Sequence, residues 1–184
     1  MNRNEKYGCI EIICGPMFSG KTEELLRRLK RTIIAKKEIL VIKPHIDNRY
    51  SDNCVVTHNK NSIESISIKN GKEDKILELA NGINTIGIDE IQFFDKKIIS
   101  ICIDLAKSGK RVIASGLDKD FKGEPFGIMP NLLCEAEHIT KLNAICNQCG
   151  NYAYFTKRTS NNKNQIVLGE SDVYEANCRM CFYK

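Results

Sequence analysis

Long apolar runs are missing from this sequence, and their absence limits where the protein is expected to function. No stretch approaches the roughly 18 consecutive apolar residues of a membrane-spanning helix. The opening residues, Met1 to Lys6, are polar and lack the apolar core of a secretory signal peptide. The sequence therefore predicts a cytoplasmic protein without a membrane partner.

Histidine is scarce, and the sequence shows neither internal repeats nor low-complexity linkers. His45, His58 and His138 have no spacing typical of a nucleophile–base pair, so we assign them no role. The 184 residues fit one domain, or one domain with a small appendage.

The net charge of +5 is a weak signal for a polyanionic partner. Six basic residues lie between Arg27 and Lys37, which is more typical of a solvated helix face than of a nucleic-acid surface. We therefore expect no nucleic-acid partner.

The strongest positive signal is Gly-Pro-Met-Phe-Ser-Gly-Lys-Thr at residues 15–22, which satisfies the phosphate-loop pattern G-x-x-x-x-G-K-S/T. An apolar run precedes it and a helical pattern follows it, so a strand and a helix N-terminus flank the turn. Lys21 is expected to reach the phosphates of a nucleoside triphosphate, and the Thr22 hydroxyl to ligate Mg²⁺. The predicted nucleotide-binding residues are Gly15, Pro16, Met17, Phe18, Ser19, Gly20, Lys21 and Thr22.

A second signal is the apolar run at residues 85–88, which ends in the carboxylates of Asp89 and Glu90. In phosphate-loop proteins such an acid holds the Mg²⁺ shell opposite the loop hydroxyl, and Asp89 is the candidate. Glu90 is placed to meet an attacking hydroxyl or water. Taken without the rest of the sequence, the two acids are explained equally well by an ordinary turn after a strand. The phosphate loop upstream favours a functional site.

The first part of the chain, of about 140 residues, alternates strand and helix patterns. Strands are predicted at 9–14, 39–42, 85–88, 111–115 and near 138–142, and helices at about 21–36, 72–81 and 95–107. This predicts an α/β fold with a phosphate-loop (RecA-like), mostly parallel sheet and flanking helices. Residues 51–72 are polar and are predicted to contain a mobile loop.

Four of the nine cysteines form two C-x₂-C pairs separated by 28 residues: Cys146, Cys149, Cys178 and Cys181. Each pair can fill two positions of a tetrahedral Zn²⁺ site, and four thiolates leave no open position for catalysis. We therefore predict a structural zinc ion and divide the chain into a nucleotide-binding domain, 1–142, and a zinc-ribbon-like subdomain, 143–184.

The segment 116–127 follows a predicted strand, where parallel sheets build their ligand sites. Its two aromatic residues, Phe121 and Phe126, are placed either to stack on a flat base or to pack in the core.

Further motifs lie at residues 43–51 (Lys-Pro-His-Ile-Asp-Asn-Arg-Tyr-Ser), 89–94 (Asp-Glu-Ile-Gln-Phe-Phe), 116–121 (Gly-Leu-Asp-Lys-Asp-Phe), 124–127 (Glu-Pro-Phe-Gly), 140–146 (Thr-Lys-Leu-Asn-Ala-Ile-Cys) and 174–182 (Tyr-Glu-Ala-Asn-Cys-Arg-Met-Cys-Phe). With the phosphate loop, and in this order, they make the chain resemble the type II thymidine kinases over residues 8–184.

The resemblance implies transfer of the ATP γ-phosphate to the 5′-hydroxyl of thymidine, with deoxyuridine as a further acceptor. Glu90 would be the catalytic base, Lys21 and Arg49 would neutralise developing charge, and Mg²⁺ would lie between Thr22 and Asp89. The implied thymidine pocket consists of Met17, Phe93, Leu117, Phe121, Phe126, Thr156, Val167 and Tyr174.

The resemblance also implies that the segment between the cysteine pairs is a lasso-like lid that grips thymine. Zinc would shorten the effective loop and so lower the entropic cost of ordering it. The family commonly has Gly-Gly before the lid tyrosine, whereas this chain has Gly169-Glu170, and a positive φ would strain Glu170. A homotetramer and end-product inhibition are implied on the same basis.

Two other functions compete with a nucleoside kinase. One is a nucleic-acid-stimulated ATPase with a zinc-ribbon module, but the segment after the second strand lacks the basic–aromatic alternation of single-strand binders. The other is an ATP-dependent switch in which Glu90 only positions the nucleotide.

Overall fold

A computed structural model describes residues 8–46, 54–56, 62–159 and 173–184. The strands are β1 (Cys9–Cys14), β2 (Ile39–Pro44), β3 (Cys54–Val56), β4 (Ser62–Glu64), β5 (Ile66–Ile68), β6 (Thr85–Ile88), β7 (Arg111–Gly116), β8 (His138–Lys141), β9 (Ala144–Ile145), β10 (Tyr152–Ala153), β11 (Phe155–Arg158) and β12 (Tyr174–Asn177). The helices are α1 (Lys21–Ile34), α2 (Lys75–Leu79), α3 (Lys97–Lys107), α4 (Met129–Glu135) and α5 (Arg179–Phe182), with a 3₁₀ turn at Ile91–Phe93.

Six strands form one sheet in the order β5-β2-β6-β7-β1-β8. Every neighbouring pair in it is parallel, so all six carboxyl ends lie at the same edge. β7 separates β1, which leads into the phosphate loop, from β6, which leads into Asp89. The sheet therefore brings the two nucleotide motifs to one edge with a single strand between them.

Both faces of the sheet are covered by helices, which explains why the strands are apolar on both sides. Along β1, Ile12 belongs to the core cluster that includes residues of α3 and α4, whereas Ile13 packs with the leucines of α1. Leu29 of α1 approaches β6 so closely that a Cβ at Gly87 would lie 2.7 Å from its Cδ1. Gly87 is therefore the small residue that lets α1 pack against the sheet.

The sequence predicted the parallel α/β core correctly, with helix ends misplaced by a few residues. α1 ends at Ile34 and α2 spans only Lys75–Leu79, so both are shorter than expected. The polar region 51–72 contains three short strands, β3, β4 and β5, and β5 extends the main sheet beside β2. The sequence did not predict these strands, because a strand of only three residues is too short to show a recognisable alternation of apolar and polar residues. α4 was also not predicted.

The C-terminal region is built from two small antiparallel sheets, β9 with β10 and β11 with β12. The rings of Phe155 and Phe182 stack at 4.7 Å, and Tyr183 packs edge-on against both. Phe182 also lies under the loop after β7, where a Cβ at Gly123 would be 3.1 Å from its ring. The small C-terminal region therefore packs against the parallel sheet domain through aromatic contacts.

The domain boundary between residues 142 and 143 stays a prediction. The lasso-like lid also stays a prediction, because most of its segment, residues 160–172, lies outside the described residues. Among the described residues, no helix is both long enough and apolar enough to cross a membrane.

Candidate active site and metal centre

The phosphate loop connects β1 to α1 through backbone conformations that few residues adopt. Gly20, the N-cap of α1, has φ 81°, and Phe18 has φ 63°. Gly15 lies against the neighbouring strand's end, because a Cβ there would be only 2.5 Å from the Leu142 carbonyl oxygen. The loop therefore needs glycine at both ends, and it presents the N-terminus of α1 to a phosphate.

Side chains of the loop fold back onto one carbonyl group. Lys21 Nζ donates to the Pro16 carbonyl over 2.7 Å, and Ser19 Oγ donates to the same oxygen over 2.8 Å. Lys21 is only 9% exposed, so its ammonium group lies within the loop rather than in solvent. A nucleotide phosphate offers this lysine a stronger, charge-assisted partner than a neutral carbonyl.

Thr22 and Asp89 meet across the sheet edge, as the motifs predicted for a Mg²⁺ site. The Thr22 hydroxyl lies 3.2 Å and 3.4 Å from the two carboxylate oxygens of Asp89. Ser115, at the end of β7, also donates to Asp89. A hydroxyl and a buried carboxylate provide the hard oxygen atoms that Mg²⁺ prefers, so these residues fit the ion.

Glu90 follows Asp89 in a left-handed conformation, with φ 49° and ψ 42°. For a residue other than glycine this conformation is costly, and it commonly marks a functional site. The chain turns sharply here from β6 into the 3₁₀ turn, and Glu90 remains partly exposed while Asp89 is buried. The side chain of Gln92 donates to Glu90 Oε2 over 2.5 Å.

Two ion pairs lie at the ends of β7 and β8, the two strands that flank β1. The Asp118 carboxylate accepts from Lys141 Nζ at 2.6 Å and lies 3.3 Å from Lys119 Nζ. Burial alone would raise the pKa of Asp118, but the hydrogen bond from Lys141 and the charges of both lysines lower it overall. Burial and the nearby Asp118 charge raise the pKa of the Cys14 thiol. Asp118 therefore stays ionised and ties the loop after β7 to the end of β8.

The residues expected to surround a nucleoside come from four separate parts of the chain: the phosphate loop, the turn after β6, the loop after β7 and the C-terminal region. Phe93 and Phe126 pack edge to face at 5.9 Å. Phe126 is only 6% exposed, which agrees better with the expectation of a core aromatic than with an open stacking face. Leu117 is half-buried at the start of the loop after β7.

Thr156 and Met17 connect the C-terminal region to the phosphate loop. The Met17 backbone N–H donates to the buried Thr156 hydroxyl over 2.9 Å. Both residues were expected in the nucleoside pocket, and the hydrogen bond brings the strand that carries Thr156 next to the nucleotide loop.

Arg158 is a buried cation between two of the expected pocket residues. Its guanidinium lies 3.7 Å from the centre of the Phe121 ring and donates to the Tyr174 hydroxyl at 2.8 Å and 3.2 Å. Arg158 therefore covers one face of Phe121 and leaves at most the other face for a base.

The four paired cysteines converge, as their spacing predicted. Their Sγ atoms all lie within 4.8 Å of one another, and those of Cys149 and Cys178 are 3.6 Å apart. A tetrahedral zinc site with Zn–S bonds of about 2.3 Å requires S···S separations of about 3.8 Å, so the cluster fits zinc. Cys178 also caps α5, and its sulfur accepts from the Cys181 amide.

Sequence reasoning missed three side chains at this site: Ser115, Gln92 and Arg158. Ser115 and Arg158 contact residues that are distant in sequence, and Gln92 joins Glu90 to the distant Leu117, so no local pattern identified these contacts. Arg49 and Val167 lie outside the described residues, as does Gly169-Glu170.

Comparison with known proteins gives one consistent result. Residues 8–182 match the family model for thymidine kinase. The whole chain is 48% identical to a thymidine kinase of Bacteroides fragilis (strain YCH46) and 47% identical to one of Bacteroides thetaiotaomicron, covering 92% of each. A thymidine kinase of Rhodothermus sp. (strain ITI 518) is 47% identical over 95% of this chain and 81% of that protein. This chain therefore belongs to the thymidine kinase family, as its motifs predicted.

Proposed function

We propose that this protein transfers the γ-phosphate of ATP to the 5′-hydroxyl of thymidine, with Glu90 as the general base. The observation that carries the proposal is the edge where Thr22 lies 3.2 Å from Asp89 and Glu90 follows directly. Phosphate binding, metal binding and proton abstraction thereby occupy adjacent positions. The printed names of the relatives, thymidine kinase in each case, support the choice of acceptor.

On this proposal each residue of the loop has a defined role. The amides of residues 15–22 and the Lys21 ammonium bind the phosphates and neutralise charge on the transferred group. Thr22 and Asp89 would hold Mg²⁺, which would neutralise negative charge on the phosphate oxygens. Arg49 is proposed as a further cation on the basis of the family resemblance alone.

Glu90 removes the proton from the 5′-hydroxyl as this oxygen attacks the γ-phosphorus, and ADP leaves. A general base must lie within hydrogen-bond reach of the proton that it takes. The partly exposed carboxylate of Glu90 is more accessible to an acceptor hydroxyl than that of Asp89, which is buried and engaged by Thr22 and Ser115.

The nucleoside pocket is proposed to consist of Met17, Phe93, Leu117, Phe121, Phe126, Thr156, Val167 and Tyr174. Phe126 and Tyr174 are buried, Phe93 and Phe121 are half-buried, and Arg158 covers one face of Phe121, which together leave room for a small flat base rather than a large one. Thymidine and deoxyuridine should therefore be phosphorylated, whereas the larger purine deoxynucleosides should be poor acceptors. The homotetramer implied by the resemblance remains part of this proposal, and sedimentation velocity tests it.

The test is ADP formation from ATP and Mg²⁺ with different acceptors. We expect ADP formation to require thymidine or deoxyuridine and to be low with deoxyadenosine, deoxyguanosine, single-stranded DNA or no addition. Stimulation by DNA alone would indicate the competing ATPase. Binding of ATP without any acceptor-dependent turnover would indicate a switch.

Specificity is tested separately at Tyr174. Tyr174→Ala removes the ring and the acceptor of two Arg158 hydrogen bonds, and we expect a higher KM for thymidine with little change in the KM for ATP. Tyr174→Phe keeps the ring and should have a smaller effect. Equal turnover of purine and pyrimidine deoxynucleosides, or an unaffected Tyr174→Ala variant, would contradict the proposed pocket.

A further inference from the structure

Gln92 is a buried amide that contacts two functional segments at once. The residue is only 4% exposed and lies in the 3₁₀ turn after β6. Its Nε2 donates to Glu90 Oε2 over 2.5 Å, and its Oε1 accepts from the Leu117 backbone N–H over 3.1 Å. A carboxylate only accepts and a backbone N–H only donates, so the two partners fix the orientation of the amide.

The surrounding backbone leaves room for this side chain. A Cβ at Gly116 would lie 2.6 Å from Gln92 Oε1, which is closer than two such atoms approach. Glycine at the end of β7 therefore permits the amide to reach Leu117. The side chain consequently spans from the strand end that carries the acids to the loop that begins at Leu117.

A glutamate side chain has several rotatable bonds, and fixing it in one conformation costs rotamer entropy. Turnover requires its carboxylate within hydrogen-bond distance of the acceptor hydroxyl. A buried amide that bonds to the carboxylate lowers this cost before substrate binds. Because the same amide holds Leu117, it also fixes the carboxylate relative to one wall of the proposed nucleoside pocket.

We propose that Gln92 is a positioning residue that holds the Glu90 carboxylate in register with the loop beginning at Leu117. The inference rests on the proposed function, since Gln92 acts on the acceptor only through Glu90. Loss of the amide leaves phosphate and nucleoside binding in place but misaligns the base. A displacement of about 1 Å in such a group can lower a rate by about 10²-fold.

A double-mutant cycle between Gln92→Met and Glu90→Gln tests this role, because a residue that acts through Glu90 has no further effect once the base is absent. We expect Gln92→Met to lower kcat by about 10²-fold with little change in either KM. The double variant should be no slower than Glu90→Gln alone. Asn131→Leu, which removes an exposed amide on α4, is the matched control and should leave kcat unchanged.

Two further variants guard against a folding defect. Gln92→Glu keeps the size of the side chain but replaces the donor with a second carboxylate facing Glu90, and Gly116→Ala displaces the amide but also contacts Ile91 and Met129. Both should lower kcat and show the same non-additivity, and thermal unfolding of each variant separates this effect from a folding defect. An unchanged kcat in Gln92→Met, or losses that multiply in the double variant, would overturn the positioning role while leaving Glu90 as base. Full activity of Glu90→Gln would instead overturn the proposed base and the role of Gln92 together.

Discussion

Lys21 shows how a single side chain prepares the phosphate loop before nucleotide binds. Its ammonium group is buried and bonded to the Pro16 carbonyl, so on the proposed function it already lies within the loop that would bind the phosphates. Lys30, the other lysine of α1, is exposed on the helix surface. The role of Lys21 therefore follows from its position at the helix N-terminus and not from the general basic charge of α1.

Replacing Lys21 should impair phosphate handling with every acceptor. Lys21→Ala removes the cation from the loop, and we expect ATP binding to weaken and turnover to fall at least 10²-fold, in the range for loss of one charge-stabilising group. Titration calorimetry with ATP and ADP-formation kinetics measure the two effects. Lys30→Ala, on the exposed face of α1, is the control, and a Lys21→Ala variant with normal ATP affinity would contradict this role.

At the residue scale, the sequence predicted those functional side chains that belong to a short, recognisable motif. Lys21 and Thr22 follow from the loop pattern, and Asp89 from an apolar strand that ends in acids. Arg158 was not predicted because its partners Phe121 and Tyr174 are brought together only by the folded chain. Distances between such residues depend on strand order, which single-residue patterns do not encode.

At the element scale, α1 is held on the sheet by a buried polar contact as well as by leucines. Glu11 of β1 accepts from Arg28 of α1 over 2.7 Å and from Arg111 of β7 over 2.5 Å. Arg28 also donates to Glu24 and to the Thr140 hydroxyl of β8. One carboxylate thus links the helix that begins the phosphate loop to the strands beneath it.

This contact predicts a pH-dependent contribution to stability. Burial would raise the pKa of Glu11, but hydrogen bonds and charges from Arg111 and Arg28 lower it below the ordinary value of 4.5. The stabilisation is therefore complete above about pH 4.5 and is lost as pH falls through the lower folded-state pKa. Glu11→Gln should cost about 2 kcal/mol near pH 7, the order for hydrogen bonds to a charged group, and less below pH 4.5.

Urea unfolding of Glu11→Gln and of the unsubstituted protein, from roughly pH 3 to pH 8, measures how this difference in unfolding free energy changes as the Glu11 carboxylate is protonated. Glu78→Gln, an exposed carboxylate on α2, is the control and should change stability little. A Glu11→Gln penalty that stays constant through the acidic range would contradict the ionic origin of the contact.

At the scale of the whole molecule, the parallel sheet domain and the C-terminal region meet at the phosphate loop. The Met17–Thr156 hydrogen bond forms this contact, and the stacked rings of Phe155 and Phe182 add a second one beside Gly123, in the loop after β7. The sequence predicted the two regions from strand–helix alternation and paired cysteines. It did not predict β3, β4 and β5 or the contacts of the C-terminal aromatic rings, because three-residue strands and long-range packing leave no periodic signal.

Zinc should hold the C-terminal region together. We expect about one Zn²⁺ per chain, and Cys178→Ser should lower both the zinc content and the melting temperature. Because β12 carries Tyr174 and leads directly into Cys178, the KM for thymidine should rise more than the KM for ATP. Metal analysis, thermal unfolding and kinetics measure these effects, with Cys134→Ser on α4 as control. Metal-free protein whose Cys178→Ser variant is equally stable would contradict a structural zinc site.

The most direct measurement of the central claim is kcat for thymidine phosphorylation by Glu90→Gln. The substitution preserves size but removes the base, so kcat should fall by about 10²–10⁴-fold while the dissociation constants of ATP and thymidine stay nearly unchanged. Glu135→Gln, an exposed carboxylate on α4, should behave like the unsubstituted protein. A Glu90→Gln protein that retains most of its kcat would show that another group takes the proton from the 5′-hydroxyl.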